Sequence, residues 1–292
     1  MTLLKIGAAT AARIEETYEP NFAARKFFPD WDDAFVAQHL RWLVPGHYDP
    51  ASGYLRLSVH SWLLTVNGKR ILIDACVGNH KPRPRRPKWS MLNTPYLERL
   101  AAAGVRPEQI DLVMCTHLHV DHVGWNTRLE NGRWVPTFPN ARYVFSREDF
   151  EHFLTADRDP QNEPANMGSF RDSVLPVVEA GLAQIVSGAQ RIDESLAVEP
   201  APGHTPGTVA IKLESRGERA VFCGDILHHA LQVYRPLWNS SACMDAANAR
   251  ASRRRVLEDC AAGALLMPAH FGAPFACRVE AKGEAFEPRF VG

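Results

Sequence analysis

The sequence lacks an excess of charge of either sign. Its 33 Lys and Arg residues balance its 33 Asp and Glu residues, so the formal net charge is +0 at pH 7. A protein without a net electrostatic field has no general attraction to polyanions or to anionic lipid surfaces. We therefore expect no nucleic acid and no membrane among its partners.

The chain also lacks paired cysteines and long apolar runs. Its six cysteines are far apart and form no CxxC pair, so no disulfide framework is predicted and a cytoplasmic environment is expected. Cys115 and Cys223 lie in apolar runs, which is typical of small buried core residues. No apolar run approaches the roughly 20 residues of a membrane span. The stretch around Lys5 is short and soon followed by charges, so we interpret it as a first strand, not a signal peptide.

The composition is that of a protein with a large core. Hydrophobic residues make up 46% of the 292 residues, and α/β sandwiches of this length often fold as one unit. We expect a single domain over residues 1–292, with an aromatic-rich N-terminal extension over about 15–50. The hydrophobic periodicity predicts an amphipathic helix over about 32–43 within this extension. The dipeptide Asn67-Gly68 predicts a tight hairpin turn between strands at 54–66 and 70–75.

Further elements follow from apolar runs and capping residues. Strands are expected at 110–115, 142–145, 197–199, 208–213, 220–223 and 264–267. Helices are expected at 94–103 with Thr94 as N-cap, at 147–154 with Ser146 as N-cap, near 172–180 and at about 245–261. A proline-rich basic loop over 82–88 either is a solvated connection or lines the mouth of a site, and 157–169 is expected to be a polar loop. Early hairpins mixed with later helices suggest two sheets with helices on their outer faces.

The most informative segment is Thr116-His117-Leu118-His119-Val120-Asp121-His122, directly after the apolar run 110–115. Residues two apart at an extended strand end point the same way, so His117 and His119 can converge on one ion. The chain then turns, which lets Asp121 and His122 reach a second ion nearby. Imidazole and carboxylate groups are natural zinc ligands, and closely spaced metals form the usual two-metal hydrolytic arrangement. A chance HxHxDH is rare, so this motif favours a metal site. The alternative, three histidines that only make hydrogen bonds in the core, is disfavoured.

Three later segments each place a possible ligand just beyond a predicted strand. His204 lies in the turn Ala201-Pro202-Gly203-His204-Thr205-Pro206-Gly207, Asp225 follows Phe222-Cys223-Gly224, and His270 follows the last apolar run. Each of these residues alone would more often be structural than a metal ligand. Several strand ends can present side chains to one point, so together with HxHxDH they predict one metal centre.

This order of motifs resembles the metallo-β-lactamase-fold hydrolases over roughly residues 54–270. The segment Ile71-Leu72-Ile73-Asp74 matches the family's early strand, which ends in a structural Asp. The resemblance implies an α+β fold, an αββα sandwich of two mixed β-sheets packed face to face, with helices on the outer faces and the metal site at one sheet edge. It also implies two Zn²⁺ per chain: His117, His119 and His204 would hold the first, Asp121, His122 and His270 the second, and Asp225 would bridge both.

The same resemblance implies a function. An aspartate at position 225 makes the chain more similar to the lactonases, the glyoxalase II group and methyl parathion hydrolase than to the bacterial β-lactamases. We therefore expect a zinc-bridging hydroxide to cleave an ester, lactone or related bond in a small, partly hydrophobic substrate. Asp121, as ligand and proton relay, is the candidate for protonating the leaving group.

Position 228 departs from the lactonase pattern. Similar lactonases often carry a tyrosine there, whereas this chain has His228-His229. Either histidine could donate a hydrogen bond to the substrate oxyanion, with His228 our catalytic candidate and His229 facing away. The alternative is an exposed pair that tethers the loop. A hydrophobic substrate pocket is predicted from the apolar segment 231–238, Trp125 and the aromatic N-terminal segment. Each aromatic residue alone would more often belong to the core than to a pocket.

Several alternatives stay open. Within hydrolases, the chain could be an N-acyl homoserine lactonase specifically. An iron-dependent redox enzyme of the same fold, similar to the sulfur dioxygenases, is disfavoured because those enzymes tend to leave the second metal site unused. A non-catalytic scaffold would normally show a degraded metal motif. Nucleic-acid processing is disfavoured by the neutral charge and by the absence of an extra domain between Asp225 and His270. The expected partner is a small-molecule substrate, and a homodimer is left open.

Overall fold

A computed structural model describes residues 3–159, 165–283 and 285–291. The strands are β1 (Leu3–Ile6), β2 (Ala9–Ala23), β3 (Tyr48–Asp49), β4 (Tyr54–Val66), β5 (Lys69–Ile73), β6 (Leu112–Met114), β7 (Thr127–Glu130), β8 (Arg133–Pro136), β9 (Arg142–Ser146), β10 (Ala183–Val186), β11 (Gln190–Arg191), β12 (Leu196–Pro200), β13 (Val209–Ser215), β14 (Glu218–Gly224), β15 (Leu265–Pro268), β16 (Ala276–Lys282) and β17 (Ala285–Val291). The α-helices are α1 (Ala24–Phe27), α2 (Asp33–Leu43), α3 (Tyr96–Ala102), α4 (Val120–Val123), α5 (Arg147–Arg158), α6 (Leu175–Glu179), α7 (Leu231–Tyr234) and α8 (Ala246–Ala261). Short 3₁₀ turns lie at Pro87–Trp89, Pro107–Gln109, Gly124–Asn126 and Ala165–Gly168, and a π-helical turn lies at Phe170–Val174.

The strands form two main sheets. The first has the order β1-β2-β4-β5-β6-β9-β10, with β3 paired to the start of β4, and the second runs in chain order from β11 to β17. In the first sheet β5, β6, β9 and β10 are parallel, and in the second β14 and β15 are parallel while the other pairs are antiparallel. Both sheets are therefore mixed, which confirms the expected fold class.

The core between the sheets is built by alternate residues of each strand. In β4, Trp62 and Leu64 pack toward the second sheet, whereas Leu63 packs on the opposite face. In β14, Phe222 faces the first sheet and Val221 the outer side. Strands buried on both faces read as continuous apolar runs in sequence, and the run 220–223 in β14 is an example.

Helices cover the outer face of each sheet. Tyr96 and Leu100 of α3 and Phe153 of α5 pack on the outer face of the first sheet, and Leu257 and Cys260 of α8 pack on the second. This layering is the αββα sandwich that the resemblance implied. Within the described part of the chain, no helix has both the length and the apolar composition that crossing a membrane requires.

The first part of the N-terminal segment belongs to the first sheet, which we had not predicted. Residues 15–50 begin inside β2, a 15-residue strand that pairs with both β1 and β4. Register shifts between Glu15 and Thr17 and between Pro20 and Phe22 interrupt its alternation, so the sequence showed no strand there. The helix predicted within the segment is confirmed as α2. The Asp32 carboxylate caps it by accepting hydrogen bonds from the N–H groups of Ala34 and Phe35.

Several element ends differ from prediction. Thr94 does not cap α3, because its backbone N–H and hydroxyl bond to Asn79 and the helix begins after Pro95. Ser146 occupies the N-cap position of α5, but its hydroxyl donates to Glu148 instead of capping the helix. The helix expected near 172–180 is a π-helical turn followed by α6. Part of the loop expected at 157–169, residues 160–164, lies outside the described residues.

Two local predictions are confirmed. Asn67 and Gly68 both adopt positive φ, 51° and 75°, as the two-residue hairpin turn between β4 and β5 requires. The six cysteines are free thiols, and Cys115 and Cys223 are buried in the core.

Candidate metal centre

The predicted ligands lie just beyond the carboxyl ends of β6, β12, β14 and β15. His117 and His119 follow β6, His204 follows β12, Asp225 follows β14 and His270 follows β15. Asp121 and His122 lie one turn further on, in α4. Strand ends from both sheets therefore meet at one edge of the sandwich, where the sequence placed the site.

Gly224 allows two of these strand ends to approach. Its φ is +46°, and a Cβ at this position would lie only 2.2 Å from Thr116 Oγ1. Any other residue would push the end of β14 away from the loop that follows β6. The glycine therefore lets Asp225 reach the histidines of the HxHxDH segment.

The first cluster contains His117, His119, His204 and Asp225, whose nearest ligand atoms lie within 4.8 Å of one another. His119 Nδ1 lies 3.1 Å from His117 Nε2 and 2.8 Å from His204 Nε2. Asp225 Oδ2 lies 3.1 Å from His204 Nε2 and 3.7 Å from His117 Nε2. Three imidazole nitrogens and one carboxylate oxygen thus point to a common centre.

The second cluster contains Asp121, His122 and His270. The Nε2 atoms of His122 and His270 lie 3.2 Å apart, and Asp121 Oδ2 lies 3.9 Å and 3.5 Å from them. Asp225 Oδ1 lies 2.9 Å from His270 Nε2 and 3.2 Å from His122 Nε2. The two carboxylate oxygens of Asp225 therefore face different clusters, which is the geometry of a bridging ligand.

The outer nitrogens of the two histidines in the second cluster are held by buried partners. His122 Nδ1 lies 2.9 Å from Asp74 Oδ2, and His270 Nδ1 donates to the Ser58 carbonyl at 2.7 Å. Asp74 also accepts hydrogen bonds from the backbone and hydroxyl of Thr116. These contacts fix ring orientation and leave Nε2 free to bind a metal, as outer contacts do in metal sites. They agree with the structural role expected for Asp74.

Asp149 is a residue of the site that the sequence analysis missed. Its buried carboxylate accepts a hydrogen bond from the Leu118 N–H at 2.9 Å and another from the Gly207 N–H at 2.6 Å. Leu118 lies between His117 and His119, and Gly207 belongs to the turn that carries His204. One side chain from α5 therefore braces both loops of the first cluster.

The close nitrogen contacts fit metal ions better than a hydrogen-bonded core. A tetrahedral zinc with Zn–N distances of about 2.0–2.1 Å sets its ligand nitrogens about 3.3 Å apart, close to the observed separations. Asp225 Oδ1 is buried and, among the described residues, makes no aligned hydrogen bond although two imidazole nitrogens lie near it. A cation between these atoms would satisfy them all.

The electrostatics of the site also favour a cation. Burial lowers the pKa of His117 and His119 well below the usual range, so both are neutral and can donate a lone pair to a metal. Burial alone would lower the pKa of His204 as well, but the Asp225 carboxylate raises it to about 9. Burial opposes ionisation of Asp225, yet His270 and its neighbours hold the pKa of this carboxyl well below its usual range. The site therefore combines an ionised carboxylate with nitrogens that attract positive charge.

His228 and His229 point in opposite directions, and both are buried. His228 lines the cavity, and its Nε2 lies 3.2 Å from Asp225 Oδ2. The Nδ1 of His228 has no hydrogen-bond partner among the described residues. His229 Nε2 lies 3.1 Å from the carbonyl oxygen of His47, away from the site. The alternative of an exposed tethering pair is therefore wrong.

A cavity of about 450 Å³ opens beside both clusters. Its apolar lining comes from Phe22, Phe27, Leu57, Val59 and Trp89, so the N-terminal aromatic segment contributes as expected. The segment 231–238 does not line the cavity, because Leu231 and Trp238 pack in a core cluster under α2.

Trp125 does not line the cavity either. Its ring stacks on Tyr96 at 5.0 Å, and its indole N–H donates to the buried carboxylate of Glu16 at 2.6 Å.

The basic loop 82–88 has two roles: Arg83 is buried in an ion pair with Asp172, whereas Arg86 lines the cavity mouth. The interpretation of a wholly solvated connection is therefore wrong for Arg83, whereas Arg86 is exposed and lines the cavity.

Comparison with known proteins is consistent with this geometry. The family model described as "Metallo-beta-lactamase superfamily" matches residues 54–262. The N-acyl homoserine lactonase AiiB of Agrobacterium fabrum (strain C58 / ATCC 33970) is 26% identical over 143 residues, which cover 43% of this chain and 48% of that protein. A hydroxyacylglutathione hydrolase of Aeromonas hydrophila subsp. hydrophila is 34% identical over 136 residues, which cover 47% of this chain and 39% of that protein. The chain thus spans about half the length, or less, of these curated relatives.

Solved structures are similar over nearly the whole chain. The crystal structure of a hydrolase, AbOPH, in the beta lactamase superfamily has a TM-score of 0.81 and 22% identity, covering 99% of this chain and 97% of that one. The structure of AidC, a dizinc quorum-quenching lactonase in complex with a product, has a TM-score of 0.78 and 20% identity, covering 100% and 98%. At these identities the likeness establishes a shared fold.

Proposed function

Because this chain belongs to the metallo-beta-lactamase superfamily, we propose that it is a dinuclear metal-dependent hydrolase acting on ester or lactone bonds. The observation that carries the proposal is the orientation of Asp225, whose Oδ2 faces the first cluster while Oδ1 faces the second. A carboxylate shared in this way is what two adjacent cations require, because it lowers the repulsion between them.

We assign the ligands by position. The first metal would be held by His117, His119 and His204, the second by Asp121, His122 and His270, and Asp225 would bridge them. Imidazole and carboxylate donors without a thiolate are suited to zinc, so Zn²⁺ is the proposed metal at both positions. Two metal ions held by these residues would supply an activated water as nucleophile and would polarise the substrate carbonyl.

The residues around the metals then perform the remaining tasks. Asp121 lines the cavity and its side chain is 11% exposed, so its carboxylate can carry a proton to the departing alkoxide. His228 presents its ring to the same cavity and can donate a hydrogen bond to the developing oxyanion. Phe22, Phe27 and Trp89 provide an apolar wall that excludes water from one side of the substrate.

A lactone is the finer candidate within this class. It is supported by the similarity to the N-acyl homoserine lactonase AiiB and to the AidC fold, and by an apolar cavity that could accept an acyl chain. The hydroxyacylglutathione hydrolases among the relatives favour a thioester as the next substrate class to test.

The proposal is tested by metal analysis together with a substrate panel. Protein purified without chelators should contain about two metal ions per chain, and removing them should abolish hydrolysis until zinc is restored. The panel should include aliphatic lactones, N-acyl homoserine lactones, aryl esters, thioesters and a phosphotriester. One metal ion or none per active chain would contradict the dinuclear site, and full activity after complete metal removal would contradict metal-dependent hydrolysis.

A further inference from the structure

The charged residues of the cavity fall into two groups. Among the described residues that line it, the acidic side chains are Asp121 and Asp225, which belong to the metal centre. The other charged residues lining the cavity are Lys26 and Arg86, both basic and both exposed. Beyond the metal centre, the described lining therefore carries positive charge alone.

The two cations lie near residues of the apolar wall in sequence. Lys26 lies in α1, one residue before the wall residue Phe27. Arg86 immediately precedes the 3₁₀ turn Pro87–Trp89, whose last residue is also part of the wall. The Arg86 guanidinium carbon lies 5.5 Å from the ring centroid of Phe22 and 6.0 Å from that of Trp89. These ring contacts hold the guanidinium beside the apolar wall.

Neither cation is paired with an acid in the part of the chain that the structure describes. In contrast, two neighbouring basic residues are paired with acids: Arg83 with Asp172 and Arg25 with Asp33. The guanidinium of Arg86 makes no hydrogen bond within the described part of the chain, so its N–H donors are available to a ligand. An unpaired Lys and an unpaired Arg at the end of an apolar wall form a receptor for an anionic group.

We propose that the substrate is an amphiphilic anion, in which an apolar segment joins the scissile carbonyl to a carboxylate. The apolar segment would lie on Phe22, Phe27 and Trp89, and the carboxylate would bind Lys26 and Arg86. This inference rests on the proposed hydrolase function and narrows its substrate class. A neutral substrate would fit this cavity less well, because it would leave both cations without a partner.

The experiment compares two substrates that differ in one group. An aryl monoester of a medium-chain dicarboxylic acid is compared with the ester that carries a terminal carboxamide instead of the carboxylate. Exposed ion pairs contribute up to about fivefold each, so the two cations together should favour the carboxylate ester about 10-fold in kcat/KM. Because the preference is electrostatic, it should shrink as ionic strength rises.

A matched pair of double variants identifies the source of the preference. The ratio of the two kcat/KM values should fall to near one in Lys26→Gln/Arg86→Gln. It should stay at the wild-type value in Lys5→Gln/Arg133→Gln, which removes one exposed lysine and one exposed arginine that do not line the cavity. Circular dichroism and thermal unfolding verify that both variants are folded.

A binding measurement provides an independent readout. The anilide analogues of the two esters resist hydrolysis, and calorimetry should give a Kd ratio that changes in the same way between the variants. A wild-type ratio near one, or a ratio that Lys26→Gln/Arg86→Gln leaves unchanged, would overturn the proposal. If neither ester is cleaved while the anilides still show the predicted Kd ratio, the hydrolase function fails for these esters and the anion site stands.

Discussion

The carboxylate of Asp149 accepts a hydrogen bond from the backbone N–H of Gly207 at 2.6 Å, across 58 residues of sequence. Its other oxygen accepts from Leu118, within the HxHxDH segment. The two loops that supply the first cluster are therefore joined through one buried side chain. Since neither loop is part of a strand at these residues, this brace, together with the hydrogen bond from the Val209 N–H to the Thr116 carbonyl, holds His204 close to His117 and His119.

Replacing Asp149 by Asn should weaken metal binding at the first cluster. An amide has one acceptor oxygen, so its NH₂ group would face the N–H of either Leu118 or Gly207. Losses of such outer contacts cost about 10–100-fold in metal affinity, and we expect that range here. Competition with a chromophoric chelator measures it. Glu151→Gln, at an exposed position of the same helix, is the control, and equal affinities in the two variants would show that the brace is dispensable.

Replacing Asp225 by Asn should preserve the fold and collapse turnover. A neutral amide binds zinc poorly and cannot balance two dications, so one metal should be lost from each chain. The loss in kcat should exceed the roughly 100-fold typical of outer contacts. Metal analysis and kinetics with the best substrate of the panel measure both effects. Asp30→Asn, an exposed carboxylate, is the control, and near-wild-type kcat with two metals bound would remove Asp225 from the bridging position.

The ligand set was predictable because its signals are local. HxHxDH has a fixed spacing, and His204, Asp225 and His270 each follow a strand that its apolar run had revealed. The structure brings all seven predicted ligands into two adjacent clusters. Asp149 and Glu16 carried no such signal, because their partners are backbone N–H groups and, for Glu16, the indole of Trp125, which only the tertiary fold brings near.

The pocket and two parts of the sheets were harder to predict for other reasons. An apolar residue packs equally well in a core or a cavity wall, so the sequence could not separate Trp125 from Trp89. The bulges of β2 hid its alternation. At the other end, no strand was predicted where β16 and β17 lie; Pro288 belongs to β17, an edge strand, where proline is tolerated.

Lys81 should make stability depend on alkaline pH. It is fully buried near Thr127, Asp172 and the ring of Trp134, and burial lowers its pKa from 10.5 to about 8. Between these values the unfolded chain holds a proton that the folded protein has released, so Lys81 contributes an increase in the free energy of unfolding with pH, against the decrease contributed by buried cysteines whose pKa burial raises. At about 1.4 kcal/mol for each pKa unit, the rise is at most ~3 kcal/mol.

Denaturant unfolding at pH 8 and at pH 10.5 measures this change. The difference in free energy of unfolding between wild type and Lys81→Met should grow from the lower to the higher pH, whereas the difference between wild type and Lys5→Met, which alters an exposed lysine, should stay constant. An identical pH dependence in wild type and Lys81→Met would mean that Lys81 keeps its proton in the folded protein.

His228 should act mainly on the transition state. Its ring lines the cavity and its Nε2 lies 3.2 Å from the carboxylate of Asp225, so a hydrogen bond from it can reach an oxyanion formed beside the metals. His228→Ala should lower kcat and kcat/KM together, by about 10-fold, because a donor that shares the charge with metals matters less than one acting alone. His229 is an unsuitable control: it is buried against His47, and His229→Ala should cost stability. His152 of α5, outside this cavity, serves instead. A rise in KM alone for His228→Ala would show that His228 binds substrate uniformly, and unchanged kinetics would leave the oxyanion to the metals.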